Sequence, residues 1–144
     1  DAALNKDIEI CLDEKGGTIF SSFQAAFDGI YATVKLLEAI SKLNKSLAEI
    51  VDSVPEFYTR TNKLPCPWEA KGKVMRYAME FAKDKETQLI DGVKILMGKG
   101  DWVLVLPDPD KPFVNLTVES SSEKASDDLL KMITEKVNKW KTAD

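Results

Sequence analysis

The chain has 144 residues, 44% of them hydrophobic, which suits one ordinary domain or a small domain joined to part of another. Its formal net charge of −4 excludes a whole-chain preference for nucleic acid or anionic membrane. With no histidine, it lacks the commonest general base and metal ligand. No apolar run reaches the roughly 20 residues of a membrane span. The first residue is Asp1, so we expect a fragment or a cloned domain.

The first part of the chain, residues 1–54, predicts a short strand followed by two helices. Residues 6–12 alternate apolar and polar side chains, which predicts the strand. Apolar residues then recur at three- and four-residue steps and predict an amphipathic helix over residues 28–43. These are Ile30, Val34, Leu37, Ile40 and Leu43. Ser46 and Glu49 have capping-box spacing and predict a helix over residues 47–53.

The second part, residues 55–144, predicts a small domain of its own. A strand is expected over residues 56–64 and a helix after Pro67. Three further strands follow, over residues 87–97, 102–106 and 113–119. The last helix is expected to begin with a capping box of Ser120 and Glu123.

This order of elements predicts an α+β fold. The pattern β-α-β-β-β-α favours an antiparallel sheet of about four strands with its helices on one face. A strand–helix remnant of an α/β domain precedes it.

The two cysteines are typical of reduced thiols in a cytoplasmic protein. Cys11 lies on an apolar strand and is expected in the core. Cys66 lies at a helix start beside basic residues, a setting that favours a depressed thiol pKa. With no histidine and no neighbouring thiol, it is not expected to be a nucleophile.

Several segments resemble the last part of the α-D-phosphohexomutases. "QLIDGVKIL" and "DWVLVLPDPDKPFVNLTVES", followed by an amphipathic helix, are similar to the family's fourth and last domain. "DEKGGTIFSSFQAAFDGIYATVKLLEAISK" is similar to the end of its third domain. "CPWEAKGKVMR" and "LPDPDKP" are most similar to the branch joined to a sugar-1-phosphate nucleotidyltransferase, the mannose-1-phosphate guanylyltransferase/phosphomannomutase branch. The resemblance implies carbohydrate metabolism, an isomerase or transferase as parent, and Mg²⁺ bound by other domains.

In that family a turn of the form R-P-S-G-T-E-P holds the phosphate of the sugar phosphate. At the matching positions this chain has Leu106 for arginine and only the two flanking prolines in common. The full degenerate loop is Pro107, Asp108, Pro109, Asp110, Lys111 and Pro112. Proline removes a backbone donor, and two aspartates repel a phosphate. We therefore expect the turn to keep its shape without its phosphate chemistry.

Other candidate positions carry weaker signals. The resemblance implies a sugar-hydroxyl loop at Glu14 and Gly16, although a solvated turn acid is the commoner case. A basic stretch is a candidate for phosphate contact, against the commoner solvated helix face. The stretch comprises Arg60, Lys63, Lys71, Lys73 and Arg76, and all of these except Lys63 are the candidate contacts. Asp108 and Asp110 are too few carboxylates to bind calcium without help. We expect no catalytic residue and no metal site in this chain.

Three hypotheses remain open. In the first, the chain is a non-catalytic phosphomannomutase/phosphoglucomutase-like module of a sugar-phosphate enzyme that includes a nucleotidyltransferase. In the second, it is the working lid of an active phosphohexomutase, which binds a hexose phosphate for 1,6-phosphoryl transfer through Lys111 and the basic stretch. In the third, the apolar side chains of Ile8, Ile10, Ile19 and Phe20 make it a homo-oligomer.

Overall fold

A computed structural model of the chain describes residues 7–13, 15–89 and 91–143. The chain divides into two compact units, Asp1–Pro55 and Glu56–Asp144. The sequence places the boundary between residues 54 and 55. Within the described residues, no helix is both long enough and apolar enough to cross a membrane.

The first unit contains a hairpin and two helices among its described residues. Strands β1 (Ile10–Leu12) and β2 (Thr18–Phe20) pair antiparallel. Helix α1 (Gly29–Leu43) begins after Asp28, whose carboxylate accepts a hydrogen bond from the N–H of Tyr31. Helix α2 (Leu47–Asp52) has the predicted Ser46–Glu49 capping box. Both predicted helices are therefore confirmed, and β1 is shorter than the predicted strand over residues 6–12.

The apolar stripe of α1 is largely exposed. Ile30 is 83% exposed, Val34 56% and Leu37 61%. The other side of the helix packs on the hairpin, where the rings of Phe20 and Tyr31 meet edge-on with centroids 5.1 Å apart. Ile10 is also exposed. An exposed apolar surface of this kind favours association with another protein surface. The homo-oligomer hypothesis therefore keeps its physical basis and stays a prediction.

The described residues of the second unit form a five-stranded antiparallel sheet. The strands are β3 (Tyr58–Pro65), β4 (Thr87–Gln88), β5 (Val93–Gly98), β6 (Asp101–Pro107) and β7 (Phe113–Ser120). Their order across the sheet is β3-β7-β6-β5-β4. Buried and partly exposed residues alternate along β7, so Val114, Leu116 and Val118 all point to one face.

Two helices cover that face and complete the core. Helix α3 (Trp68–Phe81) contributes Val74 and Ala78, and helix α4 (Glu123–Thr142) contributes Ile133 and Val137. All four side chains are fully buried. The predicted α+β class, with an antiparallel sheet and helices on one face, is confirmed, and the sheet has one strand more than expected.

The extra strand arises where a single strand was predicted over residues 87–97. Asp91 adopts a left-handed backbone with φ of +59°, which ends β4 and turns the chain back into β5. Gly92 then lies against β6, where a Cβ atom would be 2.5 Å from the carbonyl oxygen of Val105. The prediction of one continuous strand was wrong because this turn reverses the chain.

The predicted capping box at the start of α4 was also wrong. Ser120 is the last residue of β7, opposite Tyr58, and is 2% exposed. The helix is capped instead by Ser122, whose hydroxyl oxygen accepts a hydrogen bond from the N–H of Ala125 at 3.2 Å. The two serines are near neighbours in sequence, and strand pairing decided which of them is free to cap the helix.

Candidate functional site

The loop between β6 and β7 contains the predicted phosphate-loop positions and closes on itself. Residues 108–113, which are the loop and the first residue of β7, have four backbone N–H groups, because positions 109 and 112 are proline. The N–H of Asp108 donates to the carbonyl of Phe113, and that of Phe113 donates to the carbonyl of Lys111. The N–H groups of Asp110 and Lys111 both donate to Oδ1 of Asp108, at 3.1 and 3.0 Å. All four N–H groups therefore have partners within the loop and its flanking strand.

The carboxylate of Asp108 is the centre of this arrangement. Its Oδ1 accepts the two loop N–H groups, and its Oδ2 lies 3.0 Å from Nζ of Lys63 on β3. The Asp108 side chain is 14% exposed and that of Lys63 is 47% exposed. The hydrogen bond from Lys63, followed by that from the N–H of Asp110, holds the pKa of the Asp108 carboxyl below its ordinary value. The Asp108 carboxylate is thus held by two backbone N–H groups and one ammonium, which are the kinds of donor that bind anions in proteins.

Lys71 attaches helix α3 to the same loop. Its Nζ donates to the carbonyl oxygens of Asp108 at 2.5 Å and Lys111 at 2.6 Å. The ammonium also lies 3.5 Å from the ring centroid of Trp68, a cation–π contact. Lys71 is only 8% exposed. The lysine is therefore used to hold the loop backbone.

The other basic residues of the predicted stretch lie elsewhere. Arg60 donates to Glu123 and Asp127 in the first turns of α4, at 2.8 Å each. The Nζ of Lys73 donates to the carbonyl oxygen of Ala143 near the end of α4. Arg76 lies over the ring of Tyr77, 5.0 Å from its centroid. Of the four, the structure brings Lys71 to the loop and assigns the others contacts with separate parts of the unit.

The predicted sugar-binding positions belong to the turn between β1 and β2. Glu14 lies outside the described residues. Gly16 is exposed, with φ of +86°, a left-handed conformation that suits glycine. Asp13 organises this turn, because its Oδ1 accepts the N–H groups of Lys15 and Gly17. The role of Glu14 and Gly16 in binding a sugar stays a prediction.

A cavity of about 570 Å³ lies beside the β6–β7 loop in the second unit. Its lining residues are Trp68, Lys71, Asp91, Leu106, Pro107, Asp108 and Pro109. Trp68 is 52% exposed, and one side of its ring is occupied by the Lys71 ammonium. The ammonium in this wall is already bonded to carbonyl oxygens, and both ionisable neighbours from loops are aspartates. The wall therefore offers acceptors and apolar surface rather than phosphate donors.

Neither cysteine chemistry nor metal chemistry is supported by the described residues. Cys66 is fully buried, and burial raises the pKa of its thiol, so the expected depressed pKa was wrong. Cys11 is partly exposed rather than buried in a core. No group of three or more acidic, cysteine or histidine side chains that could hold a metal ion occurs among the described residues.

Sequence reasoning missed two contributors to this site. Lys63 was read as part of a general basic stretch, although its Nζ lies 3.0 Å from Oδ2 of Asp108. Asp91 was read as part of a strand. The Asp91-Gly92 pair is a recognised turn signal and could have identified the second. The first depends on tertiary structure, since Lys63 and Asp108 are 45 residues apart in sequence.

Comparison with known proteins gives a consistent result. Residues 1–58 match the family described as phosphoglucomutase/phosphomannomutase, alpha/beta/alpha domain III. The chain is 36% identical over 121 residues to a phosphoglucosamine mutase of Methanococcus vannielii. This match covers 81% of this chain and 27% of the relative. It is also 31% identical over 122 residues to a phosphoglucomutase/phosphomannomutase of Thermococcus kodakarensis. That match covers 83% of this chain and 26% of the relative. The chain thus spans about a quarter of the length of these relatives.

The fold is also similar to solved structures. A phosphoglucomutase/phosphomannomutase family protein of Burkholderia thailandensis aligns with a TM-score of 0.73 at 19% identity, covering 95% of this chain and 29% of that one. The parafusin phosphoglucomutase of Paramecium aligns with a TM-score of 0.64 at 14% identity, covering 95% of this chain and 32% of that one. At these identities the likeness concerns the fold alone.

Proposed function

We propose, from the premise that this chain is a module of the phosphohexomutase family, that it is a non-catalytic structural module of a larger sugar-phosphate enzyme. The module would complete the fold of its parent chain without binding the substrate phosphate. Residues 55–144 take the place of the family's last domain in this proposal. The family premise rests on the match of residues 1–58 to domain III and on mutase relatives that are 31–36% identical.

One observation carries the proposal: the β6–β7 loop has no backbone N–H left for a phosphate. All four donors are used internally, and the Lys71 ammonium is bonded to two loop carbonyls. A phosphate site needs such donors together with an available cation. The loop also carries two carboxylates, Asp108 and Asp110, which repel a dianion, against the single cation Lys111.

A second candidate function is the working lid of an active phosphohexomutase. The names of the relatives, phosphoglucosamine mutase and phosphoglucomutase/phosphomannomutase, favour it. The cavity beside the loop also offers room for a hexose. In this case Lys111, the one cationic side chain within residues 107–112, would contact the phosphate of a hexose phosphate during 1,6-phosphoryl transfer. Mg²⁺ would be bound by other domains of the parent.

The nature of the parent is a further part of the proposal. The segments "CPWEAKGKVMR" and "LPDPDKP" resemble the family branch that is joined to a sugar-1-phosphate nucleotidyltransferase. This resemblance supports a mannose-1-phosphate guanylyltransferase-type domain in the same cytoplasmic protein. The relatives named above are mutases, so this part rests on the two motifs alone. It is tested by assaying GTP transfer to mannose 1-phosphate with the parent protein.

The deciding experiment titrates the ¹⁵N-labelled 144-residue chain with glucose 1-phosphate, mannose 6-phosphate and glucosamine 6-phosphate, followed by amide chemical shifts. We expect no saturable shift at Asp110 or Lys111 with any of the three. The parent protein, supplied with Mg²⁺ and a bisphosphorylated activator, is assayed in parallel for mutase turnover. Saturable shifts at the loop, or turnover that Lys111→Met abolishes, would establish the working lid instead.

A further inference from the structure

We infer that the β6–β7 loop retains an anion-binding site, and that the Asp108 carboxylate occupies it as an internal substitute for phosphate. The inference rests on the proposed function, because it explains why this loop excludes an external phosphate. It also adds a specific consequence. Removing one side chain, that of Asp108, converts the loop into a site for inorganic phosphate or a phosphomonoester.

The geometry of the donors supports this assignment. Two N–H groups, from Asp110 and Lys111, converge on the single atom Oδ1 of Asp108 at 3.1 and 3.0 Å. Successive N–H groups aimed at one point form a concave site for an anion oxygen. The loop therefore presents donors in the arrangement that an oxyanion requires, and the present occupant is itself an oxyanion.

A cation completes the site from a different strand. Nζ of Lys63 lies 3.0 Å from the other carboxylate oxygen, Oδ2, and also lies 4.7 Å from the ring centroid of Phe113. Charge-assisted hydrogen bonds of this kind are the stronger ones in phosphate recognition. With the carboxylate absent, one lysine and two N–H groups would face the same volume.

A cavity borders the loop. Asp108 and Pro109 form part of the wall of this cavity, whose volume of about 570 Å³ exceeds that of a phosphate, and the inference expects the vacated position to be reached from this side. The Lys71 ammonium holds the loop backbone from the helix side through the carbonyls of Asp108 and Lys111. This attachment does not use the Asp108 side chain and is expected to preserve the loop after substitution.

The loop provides its own matched control. Asp108→Ser and Asp110→Ser each remove one negative charge from neighbouring positions of the same loop. Only Asp108→Ser removes the carboxylate that accepts the two N–H groups and the Lys63 ammonium, leaving a weaker neutral hydroxyl that phosphate can displace. A general electrostatic effect would appear in both variants, and release of an occupied site would appear in one.

The test titrates inorganic phosphate into the ¹⁵N-labelled full chain and its two variants at constant ionic strength. In Asp108→Ser we expect saturable shifts at the amides of Asp110 and Lys111, with phosphate binding at least about tenfold tighter than in Asp110→Ser or wild type. Adding Lys63→Met to Asp108→Ser should weaken that binding. Equal binding by the two serine variants, or no shift in Asp108→Ser, overturns the inference and leaves the proposed function standing. Saturable loop shifts in the wild-type chain overturn both.

A measurement on the wild-type chain tests the inference without any variant. The amide hydrogens of Asp110 and Lys111 should exchange with solvent more slowly than those of unstructured reference peptides, because the carboxylate accepts them. Unprotected exchange at both amides would show that Asp108 does not occupy the site. This outcome counts against the inference even if the serine variant fails to fold.

Discussion

Lys71 and Trp68 form a stacked pair at the start of helix α3, with Nζ of the lysine 3.5 Å from the indole centroid. One helical turn separates them, so the pair is local. The same ammonium reaches across to the carbonyls of Asp108 and Lys111. A short helix segment therefore fixes the position of a loop that is distant in sequence.

Replacing Lys71 with methionine should destabilise the chain. The substitution removes the lysine donor of the Asp108 carbonyl and one of the two donors of the Lys111 carbonyl, which keeps the N–H of Phe113. A carbonyl left unsatisfied in this way costs about 1–3 kcal/mol in free energy of unfolding. Urea denaturation measures the loss. Lys111→Met serves as the control, because that side chain is exposed and should change stability by no more than about 0.5 kcal/mol. Equal stability of the two variants would contradict the proposed attachment.

Two glycines of the second unit should respond to alanine in opposite directions. Gly92→Ala places a methyl group 2.5 Å from the carbonyl oxygen of Val105, and overpacking of this kind costs about 1–3 kcal/mol. Gly72 lies inside α3 with nothing within 4 Å of an added Cβ, so Gly72→Ala should stabilise the helix by about 0.5–1 kcal/mol. Thermal unfolding of both variants checks the pair, and a shift of the same sign in both would be inconsistent with the structure.

The stability of the chain should depend on pH through Asp108. Because its folded pKa is lowered, the contribution is fully present above the ordinary carboxyl pKa of about 4 and is lost as pH falls through the lower folded pKa. Asp108→Asn keeps an acceptor oxygen but lacks the charge. Urea midpoints should therefore favour the wild type near neutral pH and converge with those of the variant in acid. A difference that stays constant with pH, or one that persists when Lys63→Met is the background, would argue against the ion pair as the cause.

The ion pairs of Arg60 should contribute little to stability. Its partners Glu123 and Asp127 are 69% and 58% exposed, and exposed pairs contribute about 0.2–1 kcal/mol. We expect Arg60→Met to lower the free energy of unfolding within that range at low salt and by less in high salt. Asp128→Asn removes a charge from the same turn of α4 and should show a smaller effect. A large loss that is independent of salt would indicate that packing of the Arg60 stem is responsible.

Local sequence signals identified most of the elements but fewer of the contacts. The Ser46–Glu49 box defines a helix start through hydrogen bonds between residues three apart, and it is present as expected. The apolar spacing likewise predicted α1, whose start the Asp28 carboxylate caps. The alternation over residues 113–119 likewise predicted β7 and its buried face. Errors occurred where a neighbouring strand intervened, as at Ser120, which pairs with Tyr58 and leaves the capping of α4 to Ser122.

By itself, the sequence determined the fold class and the starts of α1, α2 and α3, and it predicts the loss of phosphate chemistry from residues 107–112. Those properties depend on residue types and on spacings of a few residues. Only the tertiary structure decided which partners the charged side chains bond to. Lys71 bonds to carbonyls 37 and 40 residues away, and Arg60 to carboxylates 63 and 67 residues away. Partners at such separations are selected by strand register and helix packing, because these bring distant side chains within hydrogen-bond reach.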